Sequence, residues 1–239
     1  EGVPRAVHSM AYENAATLGG KCHRMLFEHG TPSRRSPEVS PKKEFKKEGR
    51  PMEHPHIPLE DLQAQVAACR RCPLCDGRTQ TVFGVGNPEA RVLIVGEAPG
   101  KNEDLQGEPF VGAAGKYLNE LLAIAGLSRE DVYIANVLKC RPPSNRDPRP
   151  EEIQACTPFL REQTRTINPE YIVTLGNFST KFILKTDVGI TRLHGTLQRA
   201  GRFKVFPIFH PAAALYDSKK REALENDFAT LGELLRGEV

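Results

Sequence analysis

Four short, continuously apolar segments alternate with helical patterns along this chain, and this alternation restricts the fold more than any other feature. The segments lie in RVLIVGEAPG (91–100), VYIANVLKC (132–140), YIVTLG (171–176) and KVFPIFHPAAAL (204–215), the first and last of which run into loops. Apolar runs of this kind are typical of parallel strands, because helices cover both faces of a parallel sheet. We therefore predict an α/β fold with three layers, α/β/α, around a central, mostly parallel sheet of four strands.

Helical patterns fill the sequence between these segments. Apolar side chains recur at helical spacing in LEDLQAQVAAC (59–69) and again over residues 116–125. A third helix is predicted to begin at Pro150, because proline favours the first helical position and the acidic residues that follow favour the positive end of a helix. A short helix follows the third strand, and Asp217 is predicted to cap the last helix.

The first 51 residues differ from the rest of the chain. The stretch TPSRRSPEVSPKKEFKKEGRP (31–51) is rich in Pro, Ser and charged residues, and it holds too little apolar surface to offset the entropy of ordering. We predict a disordered, basic N-terminal extension at residues 1–51 and one folded domain at 52–239. Met52 directly precedes the first patterned segment, so we interpret the extension as upstream sequence read through into the chain; the alternative is a weak, nonspecific DNA-binding tail.

Length and charge exclude some classes of protein. No apolar run approaches the roughly 18 to 20 residues that a membrane-spanning helix needs, so we predict no membrane partner. The formal net charge is +3, but residues 1–50 carry +4 and the remainder carries −1. Any basic surface for nucleic acid in the folded domain must therefore be local.

Six cysteines occur in the chain, and four of them form a pattern that suggests a metal site. Cys69 and Cys72 form a CxxC pair, while Cys140 and Cys156 bracket a Pro/Arg loop. The N-terminus lacks the apolar run of a secretory signal, so we expect a cytoplasmic, reducing location, where clustered cysteines more often hold metal than form disulfides. The spacing fits either a tetrahedral zinc ion or a [4Fe–4S] cluster. Cys75 forms a second CxxC with Cys72, and neither it nor Cys22 is assigned.

Several motifs occur in an order that resembles one family. They are CRRCPL (69–74), GEAPG (96–100), Glu103-Asp104, GEPFVGAAG (107–115), NVLKCRPPSNRDP (136–148), ExxxC ending at Cys156, and HPAAAL (210–215). Together they resemble the family 4 uracil-DNA glycosylases, the iron–sulfur branch of that superfamily. The resemblance covers about residues 58–236. It implies the uracil-DNA glycosylase fold and a [4Fe–4S] cofactor on Cys69, Cys72, Cys140 and Cys156.

The resemblance also implies which residues bind the base. An enzyme that removes uracil must flip it out of the DNA and read its Watson–Crick edge. Asn136 has both an acceptor for uracil N3–H and a donor for O4, and the family places its uracil-reading asparagine there. Phe110 is the expected stacking ring. The backbone of Gly96, Glu97 and Ala98 is expected to close around the pocket.

Catalysis needs a donor for the departing base and a group that orients water. His210, at the end of the fourth strand, is expected to donate to uracil O2 as negative charge collects there. In the best-known branch of the superfamily an aspartate follows the position of Glu97, where this chain has Ala98. The water-orienting role therefore falls to Glu97, which we favour, or to Glu103.

The resemblance implies uracil-containing DNA, single- or double-stranded, as the partner of the protein. Leu215 is expected to enter the gap that the flipped base leaves in the DNA, with Tyr216 beside it. Phosphate contacts are expected from residues 141–149, from Lys101 and from residues 219–221. We expect a monomer in a prokaryotic cell, associated with the nucleoid when bound to DNA.

Two other functions remain open at this point. One is a uracil-DNA-binding protein of the same superfamily with little turnover, which would carry an extra loop with a histidine after the second strand; KCRPPSNRDP (139–148) has no such histidine. The other is a nucleotide-binding domain stabilised by a metal, but the chain has no Walker A motif. The leading prediction is a monofunctional uracil-DNA glycosylase that acts in base excision repair.

Overall fold

The computed structural model describes residues 57–237. The predicted extension at residues 1–51, and Cys22 within it, lie outside the described residues. All structural statements below refer to the described part of the chain.

The sheet has six strands, four of which are the strands expected from the sequence. The strands are β1 (Val85–Gly86), β2 (Val92–Gly96), β3 (Val132–Asn136), β4 (Tyr171–Leu175), β5 (Gln198–Ala200) and β6 (Phe203–Ile208), in the order β1-β3-β2-β4-β6-β5. The four central strands are parallel, and β1 and β5 pair antiparallel at the two edges. The prediction of a mostly parallel sheet is confirmed, and two short edge strands extend it.

Eight helices accompany the strands in the described residues. They are α1 (Leu59–Ala67), α2 (Leu74–Gly77), α3 (Lys101–Gln106), α4 (Ala113–Ile124), α5 (Pro150–Ile167), α6 (Gly176–Leu184), α7 (Ile190–Leu193) and α8 (Ser218–Arg236). Two caps follow from the sequence: Glu152 accepts from the Arg149 N–H at 2.8 Å, and Asp217 accepts from the N–H groups of Lys219 and Lys220. None of these helices is both long and apolar enough to cross a bilayer.

Side chains of the central strands are buried on both faces of the sheet. Ile94 and Val173 pack with residues of α4 and α8 on one face, while Leu93 and Val95 pack with α5 and α6 side chains on the other. A third cluster joins α1 to α5 and includes Cys140 and Cys156. The molecule therefore has the expected three layers, and burial on both faces explains why the strand sequences are continuously apolar.

Because the four central strands are parallel, their carboxyl ends lie at one edge of the sheet. Gly96 at the end of β2 is the register partner of Asn136 at the end of β3. Gly176 follows β4 directly, and His210 lies two residues after the end of β6. Ligands bind at this edge in open α/β sheets, so the topology brings the predicted site residues to one place.

Candidate active site and cysteine cavity

Asn136 is the most constrained polar side chain at this edge. The residue is 2% exposed, and its Oδ1 has no hydrogen-bond partner among the described residues. A Cβ on its register partner Gly96 would clash with Oδ1 and would lie 2.9 Å from Cζ of Phe110. Glycine at position 96 thus allows the amide and the ring to lie side by side. A buried acceptor without a donor is uncommon and costs stability, so a ligand donor is its natural partner.

Phe110 is held in place by its neighbours in spite of an unfavourable backbone conformation. Its φ is +56°, in the left-handed region that non-glycine residues rarely adopt. The Arg129 guanidinium donates to the carbonyls of Pro109 at 2.8 Å and of Phe110 at 3.3 Å. A Cβ on Gly115 would clash with the Phe110 carbonyl. These contacts fix a ring whose centroid lies 5.6 Å from that of His210, with 29° between the planes.

The tautomer of His210 follows from one hydrogen bond. Its Nδ1 accepts from the Ala212 N–H at 3.2 Å, so in the neutral ring the proton is on Nε2. Burial lowers the pKa of His210 to about 4, against the opposing effect of the Glu103 carboxylate. The imidazole is therefore neutral at pH 7 and offers one N–H donor.

The two candidate carboxylates have different surroundings. Glu103 Oε1 accepts from the backbone N–H groups of Val111 at 3.1 Å and Gly112 at 3.2 Å, which ties the Phe110 loop to α3. Glu97 is half-buried, and its carboxylate has no hydrogen-bond partner among residues 57–237; its backbone carbonyl accepts from the Leu138 N–H at 3.0 Å. Burial raises the pKa of the Glu97 carboxyl above its usual value of 4.5, and the nearby Asp147 carboxylate raises it further.

A cavity of about 460 Å³, here called the base pocket, brings most of these groups together. Among the predicted residues that line it are Glu97, Ala98, Glu103, Phe110, Asn136 and His210. Gly96 is absent from its lining and lies behind Asn136 and Phe110, where a side chain would not fit. The base pocket is large enough for a pyrimidine, and it presents an amide, an aromatic ring, a neutral imidazole and two carboxylates.

The loop after β3, whose residues 141–149 were expected to contact phosphate, also contributes lining residues to the base pocket. Pro142, Asn145, Arg146 and Asp147 all line the base pocket. Their role in lining the pocket was indicated in the sequence by the position of the loop after a strand at the carboxyl edge of the sheet. Their individual contacts depend on how the loop folds back, which no spacing in the sequence reports.

The loop between β6 and α8 carries the two residues expected at the gap in the DNA, and they differ in exposure. Leu215 is half-buried and packs against the core cluster shared by α4 and α8, and it does not line the base pocket. Tyr216, the next residue, is 96% exposed. The most exposed apolar side chain of the loop is therefore Tyr216.

Comparison with known proteins identifies the family. The family model described as "Uracil DNA glycosylase superfamily" matches residues 83–231. The type-4 uracil-DNA glycosylase of Archaeoglobus fulgidus is 50% identical over 184 residues, covering 74% of this chain and 92% of the relative. The type-4 enzyme of Thermotoga maritima is 48% identical over 159 residues, covering 66% of this chain and 83% of the relative. A type-5 uracil-DNA glycosylase of Pyrobaculum aerophilum is 30% identical over 211 residues, covering 74% of this chain and 90% of the relative.

The chain belongs to the type-4 uracil-DNA glycosylases. Three type-4 relatives are 43% to 50% identical over 74% of this chain, whereas the type-5 proteins are 30% identical over 74% or 41% identical over only 50% of it. The predicted family and fold are both confirmed.

Five cysteines of this type-4 uracil-DNA glycosylase line one small cavity, and four of them are the predicted cluster ligands. Cys69 and Cys72 follow α1, Cys140 lies four residues after the end of β3, and Cys156 lies in α5. Burial raises the pKa of the Cys72, Cys140 and Cys156 thiols, and the other thiols of this set raise them further. Two donors already face sulfur atoms: Arg78 donates to Cys140 Sγ at 3.3 Å, and the Lys139 N–H donates to Cys156 Sγ at 3.2 Å.

Cys75 lines the same cavity but differs from the other four. Its thiol donates to the Asp76 carboxylate at 3.4 Å. Burial is the main cause of its raised pKa, and Asp76 raises the pKa further, whereas no other thiol contributes to the rise. Within residues 57–237, no three Cys, His, Asp or Glu side chains are grouped as they would be around a single metal ion. Cysteine thiolates are ligands both of tetrahedral zinc sites and of [4Fe–4S] clusters. The donor set of this cavity therefore fits a group bound by sulfur.

Lys139 connects the cysteine cavity to the base pocket. Its side chain is 1% exposed, and its ammonium donates to the Asn136 carbonyl at 2.9 Å, to Gln163 Oε1 at 2.6 Å and to the Phe83 carbonyl at 3.1 Å. Its backbone N–H donates to Cys156. One residue therefore contacts both the backbone of Asn136 and a cysteine of the cavity.

Proposed function

We propose that this type-4 uracil-DNA glycosylase is monofunctional: it flips uracil out of DNA, hydrolyses the N-glycosidic bond, releases free uracil and leaves an abasic site for base excision repair. The observation that carries the proposal is the unpaired amide oxygen of Asn136, buried in a pocket shared with His210. Uracil supplies the missing donor through N3–H and an acceptor through O4. Cytosine has no proton on N3 and carries an amino group at position 4, so it mismatches both groups of the amide.

The geometry supports a division of roles within the base pocket. Phe110 stacks on the extruded pyrimidine, and the backbone of residues 96–98 closes the pocket around it. His210, neutral with its proton on Nε2, donates to uracil O2 as the bond to C1′ breaks. A donor aimed at developing charge in a dry site contributes about 3 to 4 kcal/mol of transition-state stabilisation.

Glu97 orients the attacking water and stabilises the cationic sugar. Its carboxylate has no partner among the described residues, so both oxygens are available. Glu103 uses one oxygen to hold the Phe110 loop, and we assign it a positioning role. The Glu97 carboxylate must be ionised to act in this way, although burial raises its pKa.

We infer that Cys69, Cys72, Cys140 and Cys156 hold a [4Fe–4S] cluster. The cluster supplies a cross-link between the segment after α1, the loop after β3 and α5. It takes no part in the cleavage step. Cys75 is left as a free thiol beside it.

The substrate is uracil-containing DNA, single- or double-stranded, inside a prokaryotic cell, where the protein acts as a monomer on nucleoid DNA. The loop between β6 and α8 enters the gap left by the base, with Leu215 at its base and Tyr216 at its exposed tip. Arg146 already forms an ion pair with Glu152 at 2.5 Å. The phosphate contacts are therefore assigned to the other basic residues expected to make them, in residues 141–149 and 219–221 and at Lys101.

The test is incubation with an oligonucleotide that contains one uracil, followed by alkali cleavage and assay of the free base. We expect multiple turnovers, free uracil in step with abasic sites, and no heat-stable protein–DNA adduct. A matched oligonucleotide with thymine or cytosine should stay intact. Binding without release of uracil, or a covalent adduct, would overturn the proposal in favour of a uracil-DNA-binding protein.

A further inference from the structure

A second, larger cavity adjoins the base pocket. It measures about 670 Å³ and shares Glu97, Asp147 and His210 with the base pocket. Its other wall is formed by the start and one face of α6 and the residues that follow; these are Leu175–Phe178, Lys181, Phe182 and 185–187, with Ile153 from α5. We call this cavity the α6 groove.

Two cations, Lys181 on α6 and Lys185 directly after its end, line the groove without a carboxylate partner. Lys181 and Lys185 are one helical turn apart, and neither forms an ion pair or side-chain hydrogen bond with any residue between 57 and 237. Lys204 and Lys220, by contrast, pair with Glu170 at 2.9 Å and Asp217 at 3.1 Å. Three carboxylates also line the groove: Glu97 and Asp147 lie at the junction with the base pocket, and Asp187 follows Lys185 without pairing with either lysine. Two free ammonium groups on one wall favour an anionic ligand.

The same wall carries apolar surface between the cations. Phe178 and Phe182 are both half-buried, with ring centroids 6.5 Å apart and planes within 1° of parallel. Rings and ammonium groups that alternate along one helix face suit a nucleotide, because its base or sugar contacts apolar surface while its phosphate contacts the cations.

We propose that the α6 groove binds the nucleotide adjacent to the flipped uracil on the same DNA strand, with Lys181 and Lys185 contacting its phosphate. This proposal rests on the glycosylase function, since it assigns the path of the strand beyond the base pocket. A uridine whose base occupies the base pocket leaves its phosphodiesters at the rim. His210 and Glu97 line both the base pocket and the groove, so the groove begins next to the reacting end of the base pocket. The strand thus passes directly from the reacting sugar to the lysine face.

The test combines protein variants with neutral backbone substitutions in the DNA. Lys181→Gln and Lys185→Gln are compared with wild-type holoenzyme on uracil oligonucleotides that carry a single methylphosphonate at successive positions around the uracil. Arg165→Gln is the matched control, because Arg165 is exposed at the far end of α5 and pairs only with Glu162. We expect each lysine variant to lower kcat/KM about tenfold and to reduce the salt slope by about 0.7 to 0.9, the value for one phosphate contact.

In the wild type, a methylphosphonate at one position on one side of the uracil should lower kcat/KM about as much as a lysine substitution does. The same methylphosphonate should cause no further loss of kcat/KM in the lysine variants. Lys181→Arg should restore most of kcat/KM, which separates charge from folding. Lysine variants that keep the wild-type kcat/KM and salt slope while releasing uracil would overturn the groove assignment and leave the glycosylase function intact. If neither wild type nor variants release uracil from any oligonucleotide, the proposed function itself fails.

Discussion

The unpaired side chain of Asn136 lowers the stability of the folded protein in the absence of substrate. A buried polar atom without a partner destabilises a protein by about 1 to 3 kcal/mol, and Asn136 Oδ1 is such an atom. Phe110, with its φ of +56°, adds backbone strain in the same pocket. Both features are expected of residues placed for a ligand rather than for stability.

The first prediction concerns Asn136→Ala. Loss of both hydrogen bonds to uracil should lower the single-turnover rate of cleavage by about 100- to 1,000-fold. The free energy of unfolding should fall by less than about 1 kcal/mol, since the unpaired acceptor disappears with the side chain. Single-turnover cleavage and urea unfolding measure the two effects.

Asn145→Gly provides the control for this prediction. Asn145 lines the same pocket, but its Oδ1 already accepts from Arg141 at 2.7 Å, and its φ of +52° suits glycine. Cleavage by this variant should stay within about tenfold of wild type. A large loss of stability in Asn136→Ala would contradict the interpretation of the amide as a ligand group.

The second prediction is a two-stage pH dependence. The wild-type cleavage rate should fall in acid as the Glu97 carboxyl protonates, at a pKa that burial and Asp147 place above 4.5. In Glu97→Gln that step should vanish, and the slower remaining reaction should keep its rate down to about pH 4, where His210 protonates. Protonation puts a hydrogen on Nδ1 and breaks the bond from the Ala212 N–H.

The pKa of His210 has a matching effect on stability. Its folded pKa of about 4 lies below the ordinary 6.5, so the unfolded chain binds the proton more readily between these values. The contribution of His210 to stability is therefore full above pH 6.5 and is lost as the pH falls to 4. Cleavage by Glu97→Gln that still falls with an apparent pKa near 6.5 would show that His210 titrates normally, contrary to this account.

At the scale of elements, the loop that joins α3 to α4 determines where Phe110 lies. Glu103 closes this loop by accepting two backbone N–H groups. The third prediction separates this positioning role from water activation. Glu103→Gln keeps an amide oxygen that can accept the same bonds, and should retain cleavage within about tenfold. Glu103→Ala should lose about 100-fold or more, because the loop is released.

Both Glu103 variants are measured in single-turnover cleavage, with Glu108→Gln as a control carboxylate in the same loop. Equal, severe losses in Glu103→Gln and Glu103→Ala would mean that the negative charge itself acts in the reaction. In that case Glu103, rather than Glu97, would be the group that orients water.

The fourth prediction concerns the loop between β6 and α8. Tyr216 is exposed and Leu215 packs on the core, so Tyr216→Ala should lower cleavage of duplex DNA about tenfold and change cleavage of single strands little. Leu215→Ala should lower the free energy of unfolding by about 1 to 2 kcal/mol. Leu105→Ala, an exposed leucine on α3, is the control. If Leu215→Ala instead lowered cleavage of duplex DNA only and kept its free energy of unfolding, Leu215 alone would be the residue that enters the gap left by the base.

The sequence predicts elements and their ends better than it predicts individual contacts. Continuous apolar runs identified the four parallel strands, and their carboxyl ends indicated where the candidate site residues come together. Edge strands β1 and β5 are two and three residues long, which is too short for a periodic signal. The bonds of Glu103 to the backbone at residues 111 and 112, and the pair of Arg146 with Glu152, depend on how loops fold back, so spacing could not reveal them.

At the scale of the whole molecule, the cysteine cavity and the base pocket share one segment of chain. Residues 136–140 begin with Asn136, continue through Lys139 and end at Cys140. Ala98 lines the base pocket and also packs against the cluster of side chains that contains Cys140 and Cys156. Whatever holds the four thiols together therefore also holds one wall of the base pocket.

The fifth prediction follows from this shared wall. As purified anaerobically, the protein should be brown, absorb near ~400 nm and contain about four iron atoms per chain. Cys140→Ser should lose the absorbance and most of the iron, lower the Tm and reduce uracil release, because the loop after β3 is no longer tied to α1 and α5. Iron content, absorbance and thermal unfolding measure the cluster independently of activity.

Cys75→Ser is the matched control, since Cys75 lines the same cavity but does not belong to the proposed ligand set. This variant should keep its iron, its absorbance and its Tm. Loss of the cluster in Cys75→Ser would mean that Cys75 replaces one of the four assigned ligands. Stoichiometric zinc in place of iron would overturn the cluster assignment. Because the thiols and Asn136 lie on one segment of chain, removal of the metal should in that case still lower the affinity for uracil.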